Sequence, residues 1–184
     1  MTIHSKTLAL DTALGIVEVT VSIEGTDIAA DIIALSIFPL NPELPLGMSV
    51  NECKAVLIQI GETRKSFNLN YRAKLKSAIS GTSCTGQFLA AMEWEDNKSI
   101  LTIGTEDGEA ICNRIFGLDT AKFDFEESYE PHFLDIKISE LIPSQEMSFH
   151  IVIAENPLPE PKEASSWFAV DYSHSKIISY AKRM

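Results

Sequence analysis

The sequence predicts a mainly β protein: an antiparallel sandwich or strongly bent sheet with one short helix near 71–80, or an α+β arrangement if residues 28–38 are helical. Three observations carry this. Several segments alternate apolar and polar residues with a period of two. Turn residues separate them at short intervals. Only one segment combines helical spacing with a cap at each end.

The clearest strand runs from Gly15 to Ile23, where Val17, Val19, Val21 and Ile23 share a face opposite Glu18, Thr20 and Ser22. Gly25-Thr26-Asp27 reads as a turn and Ile28 to Phe38 as a returning strand. Ala29, Ala30 and Ala34 make a short helix the alternative there. Pro39, Pro42 and Pro45 stiffen a loop over 39–47. Lys54 to Ile60 is an apolar strand, followed at Gly61 by a turn and at Ser66 to Asn70 by a hairpin partner. The helix comes next: Asn70 caps it, Tyr71, Leu75 and Ile79 share a face, and Gly81 stops it.

The second half reads as antiparallel strands. Gln87 to Glu95 places Phe88, Ala90, Met92 and Trp94 together, Asp96-Asn97 turns, Ser99 to Gly104 returns, and Glu106-Asp107-Gly108 turns again. Phe133 to Ser139 aligns Leu134, Ile136 and Ile138. Met147 to Ile153 aligns Met147, Phe149, Ile151 and Ile153, with His150 on the other face, toward water or a second layer. Three prolines make 156–163 an extended, solvent-facing loop. An aromatic element at Trp167 to Tyr172 and a basic end at Lys182 and Arg183 follow.

With 184 residues, one domain over 1–184 is the natural count. The opening residues lack the apolar core of a secretory signal, and no stretch approaches the roughly 20 apolar residues that cross a bilayer, so a cytoplasmic chain with no membrane contact is expected. Cys53, Cys84 and Cys112 are odd in number, each about thirty residues from the next, which removes support for zinc ribbons and disulfide scaffolds and fits a reducing compartment.

Charge is unevenly placed. Residues 1–92 hold 8 acids and 7 bases, whereas residues 93–184 hold 18 acids and 8 bases. Between Glu93 and Glu130, 11 acids face only Lys98, Arg114 and Lys122, and Arg64, Lys65, Arg72, Lys74 and Lys76 form a separate basic stretch. A field of that kind attracts a basic protein and repels phosphate, so nucleic acid is not an expected partner. The candidate partner-binding residues are Glu93, Glu95, Asp96, Glu106, Asp107, Glu109, Phe123, Asp124, Phe125, Glu126, Glu127, Tyr129 and Glu130, with the aromatics as anchors among the acids.

Catalytic and cofactor signatures do not emerge. Gly81 to Gly86 lacks the lysine of a P-loop and the spacing of a hydrolase elbow. His4, His132, His150 and His174 show no paired spacing, and the acidic turns lack the ligand pattern of a calcium loop. No metal, cofactor or catalytic residue is assigned. In general character the chain looks like small acidic immunity proteins that neutralise basic toxins, a likeness of type that rests on charge and attaches to no particular residue. The expected function is a stoichiometric protein-binding module, an immunity or inhibitor protein being its concrete form. The alternatives are a small-molecule-binding or enzymatic β domain, with His150, Asp31 or Cys84 in a pocket between its sheets, and a structural subunit of a larger assembly.

Overall fold

Alternation builds most of this chain. The computed structural model describes residues 1–116, 124–142 and 146–183. Eleven strands are found among them: β1 (Thr2–Thr12), β2 (Gly15–Gly25), β3 (Ile33–Pro39), β4 (Glu52–Ile60), β5 (Phe67–Lys76), β6 (Thr82–Ser83), β7 (Leu89–Glu95), β8 (Ser99–Glu106), β9 (Phe125–Glu130), β10 (Phe133–Leu141) and β11 (Met147–Pro157). Three short helices accompany them: α1 (Gly108–Phe116), α2 (Ser165–Val170) and α3 (His174–Ala181). The strands form two antiparallel sheets ordered β1-β2-β5-β10-β9 and β3-β4-β11-β8-β7-β6. This is a sandwich, as the alternation predicts.

Val17, Val19, Val21 and Ile23 of β2 are fully buried against the second sheet's Ile58, Ile103 and Phe149 in one continuous core. Trp94 is completely enclosed, and its indole N–H donates to the Pro131 carbonyl at 2.9 Å, so burying the ring strands no polar atom.

The two sheets differ on their outer faces. The second carries another apolar layer, with Leu57, Ala91, Val152 and Ala154 packed under Val170 of α2, Ile177 of α3 and Tyr172 between them. Gly104 permits this approach: a Cβ there would lie 2.8 Å from Val170 Cγ2. Beneath α2, Thr102 donates to Ser166 Oγ at 3.1 Å, and Glu160 Oε1 accepts the Ser166 N–H at 2.7 Å.

Several expectations need correction. No helix lies at 71–80, because Phe67, Leu69, Tyr71, Ala73 and Leu75 are all buried on one face of strand β5. An i, i+4 spacing is also a multiple of two, and five alternating core residues decide for the strand. That strand pairs with β2 and β10, so 61–66 crosses between sheets instead of closing a hairpin on β4. The segment 28–38 is neither one returning strand nor a helix. Asp27, at φ 56°, turns the chain away from β2, residues 28–32 bend, and β3 joins β4 in the other sheet. Glu106-Asp107-Gly108 opens helix α1 instead of a hairpin, and the C-terminal segment is helical. Asn156 is buried within β11, so only the residues beyond Pro157 form the proline-rich loop.

Candidate functional site

Polar residues buried on an otherwise apolar face mark the site. β11 is buried on both faces over Phe149–Ala154, so its outward positions meet the helical layer instead of water. His150 is one of these. The β8–β11 register pairs Val152 with Gly104, which brings Glu106 of β8 to the flank of His150. Thr105 fastens this end of the sheet, its hydroxyl donating to the His150 carbonyl at 2.6 Å. The corner before α3 supplies the Tyr172 carbonyl and the His174 ring.

The contacts form a chain. His150 Nε2 lies 3.1 Å from the Tyr172 carbonyl, His150 Nδ1 lies 3.0 Å from His174 Nδ1, and His174 Nε2 lies 2.8 Å from Ser148 Oγ. A carbonyl only accepts, so His150 Nε2 carries a hydrogen and its neutral Nδ1 presents a lone pair. The rings stack with centroids 5.2 Å apart. Burial pushes the pKa of each imidazole down to about 3. Neighbouring His174 and then Arg114 add to the effect on His150, and Arg114 adds to that on His174. Both rings are neutral at physiological pH.

Glu106 and Arg114 close the cluster on the α1 side. Asp107 Oδ1 accepts the Ala110 N–H at 2.8 Å and Glu127 Oε1 accepts the Gly108 N–H at 2.8 Å, so two carboxylates anchor the start of α1. Arg114, in the last turn, reaches back to Glu106: its Nε donates at 3.1 and 3.0 Å and its Nη2 at 2.7 Å. Glu106, His150 and His174 offer ligand atoms that all lie within 4.8 Å of one another.

A cavity of about 340 Å³ adjoins this cluster, within the size range of small-molecule sites. Phe88, Leu89, Ala110 and Tyr172 give it apolar walls, and Glu106, Asn113 and Asp171 give it polar ones. Phe88 holds φ 63°, a conformation rare for so bulky a residue, and is 44% exposed. Its carbonyl accepts the Asp107 N–H at 3.2 Å, which ties the kink to the start of α1. Burial raises the Asp171 pKa, with Lys176 opposing.

The acids singled out from the sequence follow several fates. Glu95, Asp96, Glu109, Asp124, Glu126 and Glu130 are exposed, and the β7–β8 register puts Glu95 and Asp96 at the opposite end of that hairpin from Glu106 and the start of α1. Asp96 accepts the N–H groups of Lys98 and Ser99, which hold its carboxyl below the usual range. Glu126 pairs with Lys137 at 3.3 Å. Glu106, Asp107 and Glu127 serve the contacts already described. Glu93 is half-buried on the outer face of β7, its pKa raised by burial and then by Glu160 and Glu95. Phe125 and Tyr129 pack inward against the inter-sheet core, and Phe123 lies outside the described residues.

Asp31 sits in an exposed turn. Cys84 packs beside the second layer, its thiol pushed up to about 12 by burial and then by Glu93. Cys53, Cys84 and Cys112 are free thiols. Among the described residues, no helix is long and apolar enough to cross a membrane. Ser148, Arg114, Tyr172 and His174 escape sequence reading because they are scattered between 114 and 174. One signal was legible: His150 lies inside an apolar run too continuous for a strand with one wet face.

The class these features define is a β-sandwich with one helix-covered sheet and a buried imidazole–carboxylate–guanidinium cluster beside a cavity. No family model, curated protein or solved structure matches the chain.

Proposed function

We propose that this domain binds a small organic molecule in the cavity between Phe88, α1 and the Asp171–Ser173 corner. The observation that supports it best is the position of Glu106, a carboxylate 9% exposed that lines the cavity while Arg114 pairs with it. Asp171 adds a second carboxylate, and Phe88, Leu89 and Tyr172 supply apolar contact. That lining suits a compact ligand with an apolar body and a cationic, hydrogen-bond-donating end. Benzylamine and its neutral counterpart benzyl alcohol test it by thermal shift. Benzylamine is expected to stabilise the chain, benzyl alcohol to do so far less, and D171N to weaken the amine's effect at least fivefold. Equal shifts from both probes, or none from either with the chain folded, would discard the reading.

A second reading is the docking of a basic protein, with toxin neutralisation as its concrete form. What supports it is the exposure of Glu95, Asp96, Glu109, Asp124, Glu126 and Glu130, together with Arg72 and Lys76 pairing elsewhere, with Asp135 and Glu18. Acids along edge strand β9 also discourage sheet-to-sheet aggregation, so exposure alone does not decide. A basic partner of the parent chain is expected to associate at least tenfold more slowly with D124K/E126K/E130K at low salt. An unchanged rate at every salt concentration rejects docking.

A further inference from the structure

We infer that Glu106, His150 and His174 form a binding site for one divalent first-row transition-metal ion, of the kind that imidazole and carboxylate together select, such as Zn²⁺. The argument starts from spacing. Two nitrogens about 2.1 Å from a common ion, at tetrahedral to right angles, lie roughly 3.0–3.4 Å apart. His150 Nδ1 and His174 Nδ1 are 3.0 Å apart. The same angles apply to the carboxylate, so Glu106, whose oxygen lies within 4.8 Å of both imidazoles, closes by up to about 1.4 Å to complete the site.

The far side of each ring strengthens the case. A metal-ligating imidazole donates its other N–H to an oxygen, which fixes its tautomer and orientation. His150 Nε2 has the Tyr172 carbonyl at 3.1 Å and His174 Nε2 has Ser148 Oγ at 2.8 Å. Without an ion, the short contact between the two Nδ1 atoms needs a hydrogen. His174 then carries it on Nδ1, and its Nε2 accepts from the Ser148 hydroxyl. With an ion in place, that hydrogen sits on Nε2 and donates to Ser148 Oγ, and both Nδ1 lone pairs face the metal. The exchange needs only a tautomer change in His174 and a rotation of one hydroxyl, with no net gain or loss of protons.

Arg114 sets the strength of the site. Its guanidinium already shares the Glu106 charge, so the ion draws most on the two imidazoles. The inference stands apart from the cavity reading, because ion binding needs no organic ligand and is measured without one.

Titration of EDTA-stripped, dialysed protein with Zn²⁺, and separately with Co²⁺ followed by visible absorption, tests it. One equivalent of Zn²⁺ is expected to bind, with Co²⁺ giving d–d bands. H150Q and H174Q should each weaken Zn²⁺ at least tenfold, and H4Q, remote from the cluster, should leave it unchanged. Buried imidazoles are hazardous to replace, so S148A provides a milder variant. It removes only the oxygen behind His174 and is expected to weaken Zn²⁺ by about tenfold. The site is ruled out if the folded, stripped parent chain binds neither ion below millimolar concentration. It is equally ruled out if H150Q, H174Q and S148A, all folded by circular dichroism, bind Zn²⁺ as the parent does.

Discussion

The outer faces of the two sheets use the same strand geometry for different ends. On the first sheet, outward residues meet water: Thr7 and Thr20 pair hydroxyls across β1 and β2, Lys76 reaches Glu18, and Arg72 reaches Asp135. On the second sheet, helices cover the outward residues, and one end of the covered face is polar. Each face nevertheless contains a deeply buried carboxylate held by one arginine, Asp135 at 2% exposure and Glu106 at 9%. Asp135 also accepts from Asn70 Nδ2 at 3.0 Å, and the Arg72 guanidinium lies over the Phe133 ring in the open. The side chain of Arg114 is the more enclosed, 26% exposed against 40% for Arg72. The lesson is that a buried strand carboxylate is held by a replaceable latch when water reaches its arginine side chain, and by a structural commitment when that side chain is itself enclosed.

Removing each arginine tests that comparison most sharply. R114Q strips a buried carboxylate of its charge partner beside two neutral imidazoles, and a loss of about 3–5 kcal/mol in unfolding free energy is expected. R72Q leaves Asp135 its Asn70 donor and lets water into the half-exposed place of the Arg72 guanidinium, with an expected loss of about 1 kcal/mol. Urea denaturation of the two variants at pH 7 measures both. Equal losses would show that covering the second sheet does nothing to the energetics of its ion pair.

How far the molecule could be read from its sequence follows that division only in part. β2 and β10, on the first sheet, fall close to where alternation puts them, and so do β7 and β8, although both are buried on two faces. The second layer is harder. Leu57, Val152 and Ala154 look like ordinary core residues until the fold shows that they face away from the sandwich interior. Period-two reading gives a strand's two faces but not its sheet, so β3 and β5 could not be assigned to opposite sheets from local pattern. The cluster was hidden for a related reason. Its members come from β8, α1, β11 and the start of α3, and only sheet register and helix placement bring them together. Helix α1 itself carried a readable signal that was passed over: Asp107 three residues before Ala110, and acids ahead of Arg114.

Acidification tests the covered face more gently than mutation. In the folded, metal-free protein the pKa values of His150 and His174 are pushed down to about 3, largely by burial, and Glu106 and Arg114 are the charged groups beside them. In the unfolded chain both rings take up protons near their ordinary value of about 6.5. Between those limits the unfolded state binds more protons, so stability rises with pH through this window. It is fully present above about 6.5 and is lost progressively as pH falls toward 3. Each imidazole contributes up to about 1.4 kcal/mol per pH unit. In EDTA, unfolding free energy is therefore expected to drop by about 2 kcal/mol between pH 6 and pH 5, above the range where most carboxylates titrate. The H150Q/H174Q pair of substitutions should flatten that step, whereas H4Q, on the first sheet, should leave it intact. A parent chain whose stability is level from pH 7 to pH 5 would mean that water reaches the two rings, and that the helical layer does not seal this end of the sheet.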